Sequence, residues 1–339
     1  GLEGKFRAGQ RVAMAGAGLA NHSELNAVPE NLCAPVPDDV NDEEACFGTL
    51  GAIAMNGVRL VEPQLGDVVA VIGAGLVGQL AAQFLDLAGC RVVVLDYNAD
   101  RLKLATYAGA ELVCDLSQGD PTAAIMDMSG GRGCDGVVIA AATDSSEPFD
   151  TAANIARDKG KISLVGITGT EFDYRLFMKK ELSVVVSRSY GPGRYDPDYE
   201  NRHVKYPIGF VRWTETRNLE ETVRLMSRRR DHRLQVEQMI THKFPFADAE
   251  KAYDMLSKNT EPYLGVILEY DTAPVERSPK LRTPVSVSTG KPASGKCVLG
   301  VIGAGNFART VLLPRLKKID AMELHTLVTQ RGISADHSG

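Results

Sequence analysis

No apolar run in this sequence approaches the roughly 20 residues that a membrane-spanning helix needs, so no membrane partner is expected. The opening, GLEGKFRAGQ, does not resemble a secretory signal. Cysteine is scarce and dispersed: Cys33, Cys46, Cys90, Cys114, Cys134 and Cys297 include no CxxC pair. That dispersion argues against a disulfide framework and a cysteine-rich structural zinc site, and it fits a reducing compartment, with the cytoplasm as the expectation. Excess positive charge is missing too. A net charge of −5 gives no electrostatic reason to expect nucleic acid or an anionic membrane surface as partner. The first residue is not Met, and GLEGKFRAGQRVAMAG reads as the inside of a connection, so a chain cut at its start is expected.

Hydrophobic residues make up 44% and charged residues 24%, an ordinary globular balance, and 339 residues allow two domains. Short strand-like runs, RVAMAG and SELNAVP, mark 1–48 as part of a β-rich module. From Leu50 to about Asp67 the spacing predicts a helix stopped by Pro63 and Gly66. Then VVAVIG, RVVVLD, ELVCD, GVVIAAA, KISLVG and LSVVVS alternate with helical stretches, among them Leu76 to Ala88 and one from about Phe149. Short apolar strands between helices imply a doubly wound α/β domain over 49–214, its parallel sheet covered on both faces. In NLEETVRLMSRRRD, Leu219, Val223 and Met226 recur at helical spacing. Glu220 and Glu221 are expected in the first turn of that helix and Arg228, Arg229 and Arg230 in its last; the arginine run is either an anion site or a solvated helix end, and the charge order suits the helix dipole. THKFPFADAEKAYDML and YLGVILEY add strand, helix and strand to a return segment, 215–271. Residues 272–296, rich in Pro, Ser, Thr and Gly, read as a linker to a second unit, 297–339.

Gly73, Gly75 and Gly78 form G-x-G-x-x-G directly after an apolar strand and directly before a helix. The first glycine permits a tight turn, the second lets backbone approach a pyrophosphate, and the third lets helix pack on strand. The N–H groups that open the helix, at Leu76, Val77 and Gly78, then face the phosphates. Asp96 ends the next strand, placed to accept from both ribose hydroxyls, and a carboxylate there repels a 2′-phosphate. The combination predicts NAD(H) over NADP(H). Arg101 is either an adenosine neighbour or a solvated helix residue.

The order of β-module, glycine-turn domain and returning FPFADAEKAYDML resembles the medium-chain, zinc-type alcohol dehydrogenase family over about 1–270. FRAGQRVAMAG is similar to its GDRV turn and KFPFADAEKAY to its late catalytic segment. The resemblance is closer to a two-module subgroup, in which such a dehydrogenase is fused to an oxidoreductase of the glucose-fructose oxidoreductase/inositol dehydrogenase type. SRSYGPGRYDPDYE and YPIGFVRWTE look characteristic of that subgroup, whose members are often connected with surface-polysaccharide synthesis. The resemblance implies a GroES-like catalytic module, present here in part, an NAD cofactor, a small-molecule alcohol or sugar substrate and a homo-oligomer.

It also exposes departures. Zinc-type members hold the catalytic metal with an early Cys and His, which would lie upstream of Gly1, and with a Cys that falls here at Gly48. Cys46 is then a substitute ligand or a small buried cysteine. MAGAGLANHSEL runs where the four-cysteine lobe would be inserted. His22 and Glu24, at i, i+2 spacing in a strand-like run, would face one side, yet two ligands make no zinc site. No metal ligand is assigned, and zinc stays open for the whole protein.

Ligands of doubly wound sheets sit at strand carboxyl ends, which nominates Ala141, Ala142 and Thr143, then Gly166, Ile167 and Thr168, then Ser187, Arg188, Ser189 and Tyr190. Ser189 or Tyr190 either polarises a substrate carbonyl in place of zinc or simply lines the pocket. A second turn, Gly303, Gly305 and Ala308, opens the last unit, but its next strand ends on Thr329, Gln330 and Arg331 without an acid. That unit binds a dinucleotide without the ribose carboxylate, prefers NADP through Arg331, or binds nothing. It has too few strands for a complete sheet, so a cut is expected at this end as well.

The leading expectation is an NAD-dependent oxidoreductase acting on an alcohol or sugar-like substrate, with this length of chain inactive alone. The alternatives are a dinucleotide-binding module without turnover, and sugar dehydrogenation through the second unit.

Overall fold

The strand expected in RVAMAG forms and the one in SELNAVP does not, in a computed structural model that describes residues 5–271, 296–303, 305 and 308–328. Strand β1 (Val12–Met14) pairs antiparallel with β2 (Cys33–Pro35), and residues 21–29 between them form bends and irregular backbone. A one-turn helix, α1 (Asp42–Ala45), starts in a reciprocal cap. The Asn41 side chain accepts from the Glu44 N–H at 2.7 Å, and Glu44 accepts from the Asn41 N–H at 2.9 Å. Helix α2 (Gly48–Leu60) follows and stops before Pro63, near the expected end.

Strands and helices then alternate: β3 (Val68–Ile72), α3 (Leu76–Leu87), β4 (Arg91–Asp96), α4 (Ala99–Tyr107), β5 (Leu112–Asp115), α5 (Thr122–Met128), β6 (Cys134–Ile139), α6 (Glu147–Ile155), β7 (Ala156–Leu164), α7 (Tyr174–Lys180) and β8 (Ser183–Val186). The six strands form one parallel sheet in the order β5-β4-β3-β6-β7-β8. The chain steps outward from β3 to β5, then returns across β3 to build the other half. That reversal opens a crevice beyond the carboxyl ends of β3 and β6.

Alternation along each strand explains why the runs are apolar throughout. Val69, Val71, Val92, Val94 and Val138 pack with α2 and α3 through Met55, Val58, Leu80 and Phe84. Val68, Ala70, Val93, Leu95, Val137 and Ile139 pack on the other face with Ile125, Phe149, Ala152 and Ile155. Both faces of the inner strands are buried, so neither residue of the alternation is polar there, while the edge strand β8 leaves Val184 and Val186 exposed.

A short helix, α8 (Pro197–Arg202), leads to α9 (Glu215–Leu225). Helix α9 starts earlier than the sequence spacing predicts, because the Thr214 hydroxyl caps it, and it ends earlier too, at Leu225. Arg228, Arg229 and Arg230 therefore lie beyond the helix, which corrects their assignment to its last turn. Arg228 and Arg233 instead reach Glu44, fully buried, at 2.8 and 3.2 Å. The parallel pair β9 (Ile240–Pro245) and β10 (Gly265–Glu269), with α10 (Ala249–Lys258) between them, completes the first of two compact units, Gly1–Asp271 and Thr272–Gly339. In the second unit β11 (Cys297–Ile302) and β12 (Met322–Val328) pair in parallel around the short α11 (Leu313–Leu316).

Candidate functional site

The turn between β3 and α3 follows from its three glycines. Gly73 leaves the strand at φ +99°, and a Cβ there would lie 2.8 Å from the Ala141 nitrogen. A Cβ at Gly78 would lie 1.7 Å from the Gly73 carbonyl oxygen, so only glycine lets α3 sit this close to its strand. Gly75, which caps α3, is different: nothing lies within 4 Å of where its Cβ would be. The middle position faces open space. The N–H groups of Leu76, Val77 and Gly78 open the helix beside it, and helix geometry leaves such groups without an intrahelical acceptor.

Asp96 is held by this turn. Its Oδ2 accepts from the Ala74 N–H at 2.6 Å and its Oδ1 from the Asn98 N–H at 2.8 Å, which leaves each oxygen a lone pair for a further donor. Asn98 caps α4 by accepting from the N–H groups of Asp100 and Arg101. Gln79, fully buried, donates to the carbonyls of Ala74 at 3.2 Å and Arg101 at 2.8 Å, tying the turn to α4. Arg101 thus enters the network through its backbone. Tyr97 donates its hydroxyl to Glu147 at 2.6 Å, bridging the end of β4 to the start of α6. Sequence reasoning passed over Gln79, Tyr97 and Glu147. A glutamine inside the apolar run LVGQLAAQF was the available signal for the first; nothing local announced the other two.

The loops after β6 and β7 pair with each other. The Ile167 N–H donates to the Ala141 carbonyl at 3.1 Å, and the Thr143 N–H donates to the Ile167 carbonyl at 2.9 Å. A Cβ at Gly166 would fall 2.0 Å from the Ala141 oxygen. Gly73, Ala141 and Gly166 therefore adjoin at the ends of three neighbouring strands.

The loop after β8 is fixed from two helices. Asn56 of α2 donates to the Ser187 hydroxyl at 2.7 Å, and Asn218 of α9 donates to the Tyr190 carbonyl at 3.0 Å. Ser189 is half-buried at φ +44°, a left-handed conformation that costs a non-glycine residue roughly 1 kcal/mol. Tyr190 is 5% exposed and lines a tight void with Ala15, Leu32, Ala52, Glu215 and Leu219. Burial pushes its hydroxyl up to about 12. The hydroxyl nominated to meet a substrate carbonyl is therefore enclosed in this conformation, because its loop folds back onto α9.

Glu215 shares that void at 2% exposure, and neither its carboxyl oxygens nor the Tyr190 hydroxyl has a hydrogen-bond partner. Burial, then the neighbouring Glu200, raises Glu215 to about 8. Arg194 is engaged by Glu200 at 2.7 Å. Glu215 consequently carries its proton at neutral pH.

The residues expected near a catalytic metal do not fit one. Gly48 is buried, and a Cβ there would lie 3.0 Å from Leu219 Cδ1 and 3.3 Å from Val223 Cγ1. Cys46 is exposed rather than buried, since α1 ends there, and its thiol donates to the Glu43 carbonyl at 3.1 Å. His22 and Glu24 share no strand; His22 Nδ1 instead meets the Tyr253 hydroxyl at 2.7 Å. Among the described residues no three His, Cys, Asp or Glu side chains are grouped as a metal site. In the second unit, Gly303 has φ +99° and a Cβ at Gly303 or Gly305 would meet nothing within 4 Å. Thr329, Gln330 and Arg331 lie outside the described residues.

Residues 77–201 match the family described as "Zinc-binding dehydrogenase". "Probable alcohol dehydrogenase adh" of Mycobacterium tuberculosis is 35% identical over 45% of this chain and 42% of its own length. "D-xylulose reductase" of Scheffersomyces stipitis is 26% identical over 67% of this chain and 58% of its own. The chain thus spans about half the length of these curated relatives. Among solved structures, alcohol dehydrogenase TADH from Thermus sp. ATN1 matches with a TM-score of 0.57 at 21% identity, over 70% of this chain and 63% of that one, a likeness that establishes the fold. The matched segment and these relatives make the chain similar to zinc-type alcohol dehydrogenases over part of its length, and the parallel six-stranded sheet agrees with the fold of the solved structure.

Proposed function

We propose that the first unit binds NAD(H) at the β3–α3 turn and serves hydride transfer to or from an alcohol or sugar-like substrate. The observation that carries this is the contrast within one turn, where Gly73 and Gly78 are closed by backbone and Gly75 alone opens onto space at a helix start. The bound nicotinamide would supply or accept the hydride. The N–H groups of Leu76, Val77 and Gly78 would hold the pyrophosphate, and Asp96, already oriented by Ala74 and Asn98, would take the ribose hydroxyls. Ala141 and Gly166 would floor the cleft, and the Ser189 hydroxyl is our candidate for polarising the substrate oxygen, with Tyr190 joining only if its loop opens. The enclosure of Tyr190 and the ligand-free position at Gly48 favour a second reading, a dinucleotide-binding module without turnover.

Calorimetric titration tests the first step: NADH binding tighter than NADPH is expected, and equal affinity or no binding refutes it. Retained NADH binding without turnover, across a panel of alcohols and sugars given to a full-length protein, would favour the second reading.

We further propose a fusion with a glucose-fructose oxidoreductase/inositol dehydrogenase-type unit beginning at Cys297, an organisation into the segments 1–48, 49–214, 215–271, 272–296 and 297–339, and a role in surface-polysaccharide chemistry. No helix among the described residues is long and apolar enough to cross a membrane. A cytoplasmic setting is our reading. The sheet's outer strand β8 leaves Val184 40% and Val186 70% exposed beside an edge that no other strand pairs with among the described residues, which supports a homo-oligomer.

A further inference from the structure

Three arginines gather at the protein's single tryptophan. The guanidinium carbon of Arg59, near the end of α2, lies 3.5 Å from the Trp213 ring centroid, and that of Arg212 lies 3.9 Å from it. Arg217, in the first turn of α9, folds back on the same segment and donates to the carbonyls of Val211 at 2.7 Å and Arg212 at 3.2 Å.

Among the described residues none of the three arginines forms an ion pair; along α9, Glu215 is buried and carries its proton, Glu221 holds Arg224 through both oxygens and Glu220 pairs with Lys5. Arg59 is half-buried, and burial, with the like charge of Arg212 opposing the pull of Glu221, lowers it to about 10. A desolvated guanidinium beside another is costly unless an anion joins it. The donor inventory leaves room for one. Arg59 uses Nε on Asn218 at 3.0 Å and Nη2 on Met55 Sδ at 3.1 Å, and Arg212 is exposed with no side-chain hydrogen bond among the described residues.

We infer that Arg59, Arg212 and Arg217 form an anion site around Trp213 that takes a phosphate-bearing small molecule. Three cations without an ion pair suit a di- or polyanion better than a single carboxylate, and stacking on the indole leaves guanidinium edges free for phosphate contacts. No contact between the three arginines and the glycine turn is seen among the described residues, and the proposal does not rest on the dehydrogenase reading. Asn218 links it to the strand-end loop, since the side chain that accepts from Arg59 also donates to the Tyr190 carbonyl.

Because Trp213 is the protein's single tryptophan, its emission reports at the site itself. Inorganic pyrophosphate, titrated into the chain at low salt, should change that emission saturably, with affinity falling as NaCl is added. Arg212→Glu, at an exposed position, should weaken binding by about tenfold or more. Arg59→Lys should weaken it less, because the charge remains and only the planar stack is lost. The response should persist with NAD⁺ at saturation. A silent Trp213 at millimolar pyrophosphate, an unchanged titration in Arg212→Glu, or a response abolished by NAD⁺ would overturn the proposal, the last by assigning the anion to the glycine turn.

Discussion

Gly73 and Gly303 leave their strands at the same φ of +99°, and the residues around them differ almost completely. Strand β3 is buried along its whole length, whereas β11 alternates between exposed and half-buried. A Cβ at Gly73 would meet the backbone of Ala141, and one at Gly78 would overlap the Gly73 carbonyl; among the described residues, Cβ atoms at Gly303 and Gly305 would meet nothing within 4 Å. The third position of the second turn already carries a methyl group, in Ala308. A short glycine motif therefore suffices to shape a turn. In the first unit β6, β7 and the acid at the end of β4 build the surroundings of that turn, and these come from residues far along the chain.

The sharpest test of that contrast is Gly78→Ala, which should cost the first unit about 3 kcal/mol or more, because a methyl group must displace backbone. Chemical denaturation measures it, and unchanged stability would break the argument that glycine sets the helix–strand distance.

The pH dependence of unfolding separates the two units next, since Glu215 belongs only to the first. Its folded-state value of about 8 stands above its ordinary 4.5, so the native state binds the extra proton between these limits. The stabilising contribution is full below about 4.5 and is lost as pH rises through about 8. Glu215→Gln should flatten that slope and raise stability at pH 8 by roughly 2–3 kcal/mol, with little change at pH 4. Parallel pH curves for the two proteins would show that Glu215 ionises freely.

Smaller effects divide conformation from packing. Gly303→Ala should cost about 1 kcal/mol through backbone strain alone, and Gly73→Ala about 2 kcal/mol, the difference reflecting the Ala141 contact. Equal costs, measured by thermal unfolding, would remove the contact from the account. Asp96→Ala should narrow the preference for NADH over NADPH by about tenfold, roughly 1.4 kcal/mol, in fluorescence titrations; an unchanged ratio would contradict the assignment of Asp96 to the ribose.

Legibility in the sequence tracked the range of the interactions. VVAVIG, RVVVLD and GVVIAAA were readable as buried parallel strands because both faces need apolar residues, and the glycine turn was readable because its geometry is local. The start of α9 was missed because WTETRN has no apolar period, although Thr214 is a good cap. The arginine run misled for the opposite reason: it looked like a helix end, while Arg228 answers Glu44, far away in sequence. The void shared by Tyr190, Glu215, Ala15 and Leu32 joins four separate segments, and no spacing rule brings them together. Cys46 and His22 show the same limit, since exposure and pairing with Tyr253 are set by tertiary contacts.

The central claim is that open space at Gly75 is where a dinucleotide lies. Gly75→Val adds a side chain where nothing stands within 4 Å, at an ordinary φ of −70°, so the fold should be kept. NADH titration of the two proteins, with circular dichroism and thermal unfolding as the folding control, tests the claim directly. The account predicts one NADH per unmodified chain and binding weakened by at least about a hundredfold in an equally stable Gly75→Val protein. Undiminished NADH affinity in that folded variant would contradict it.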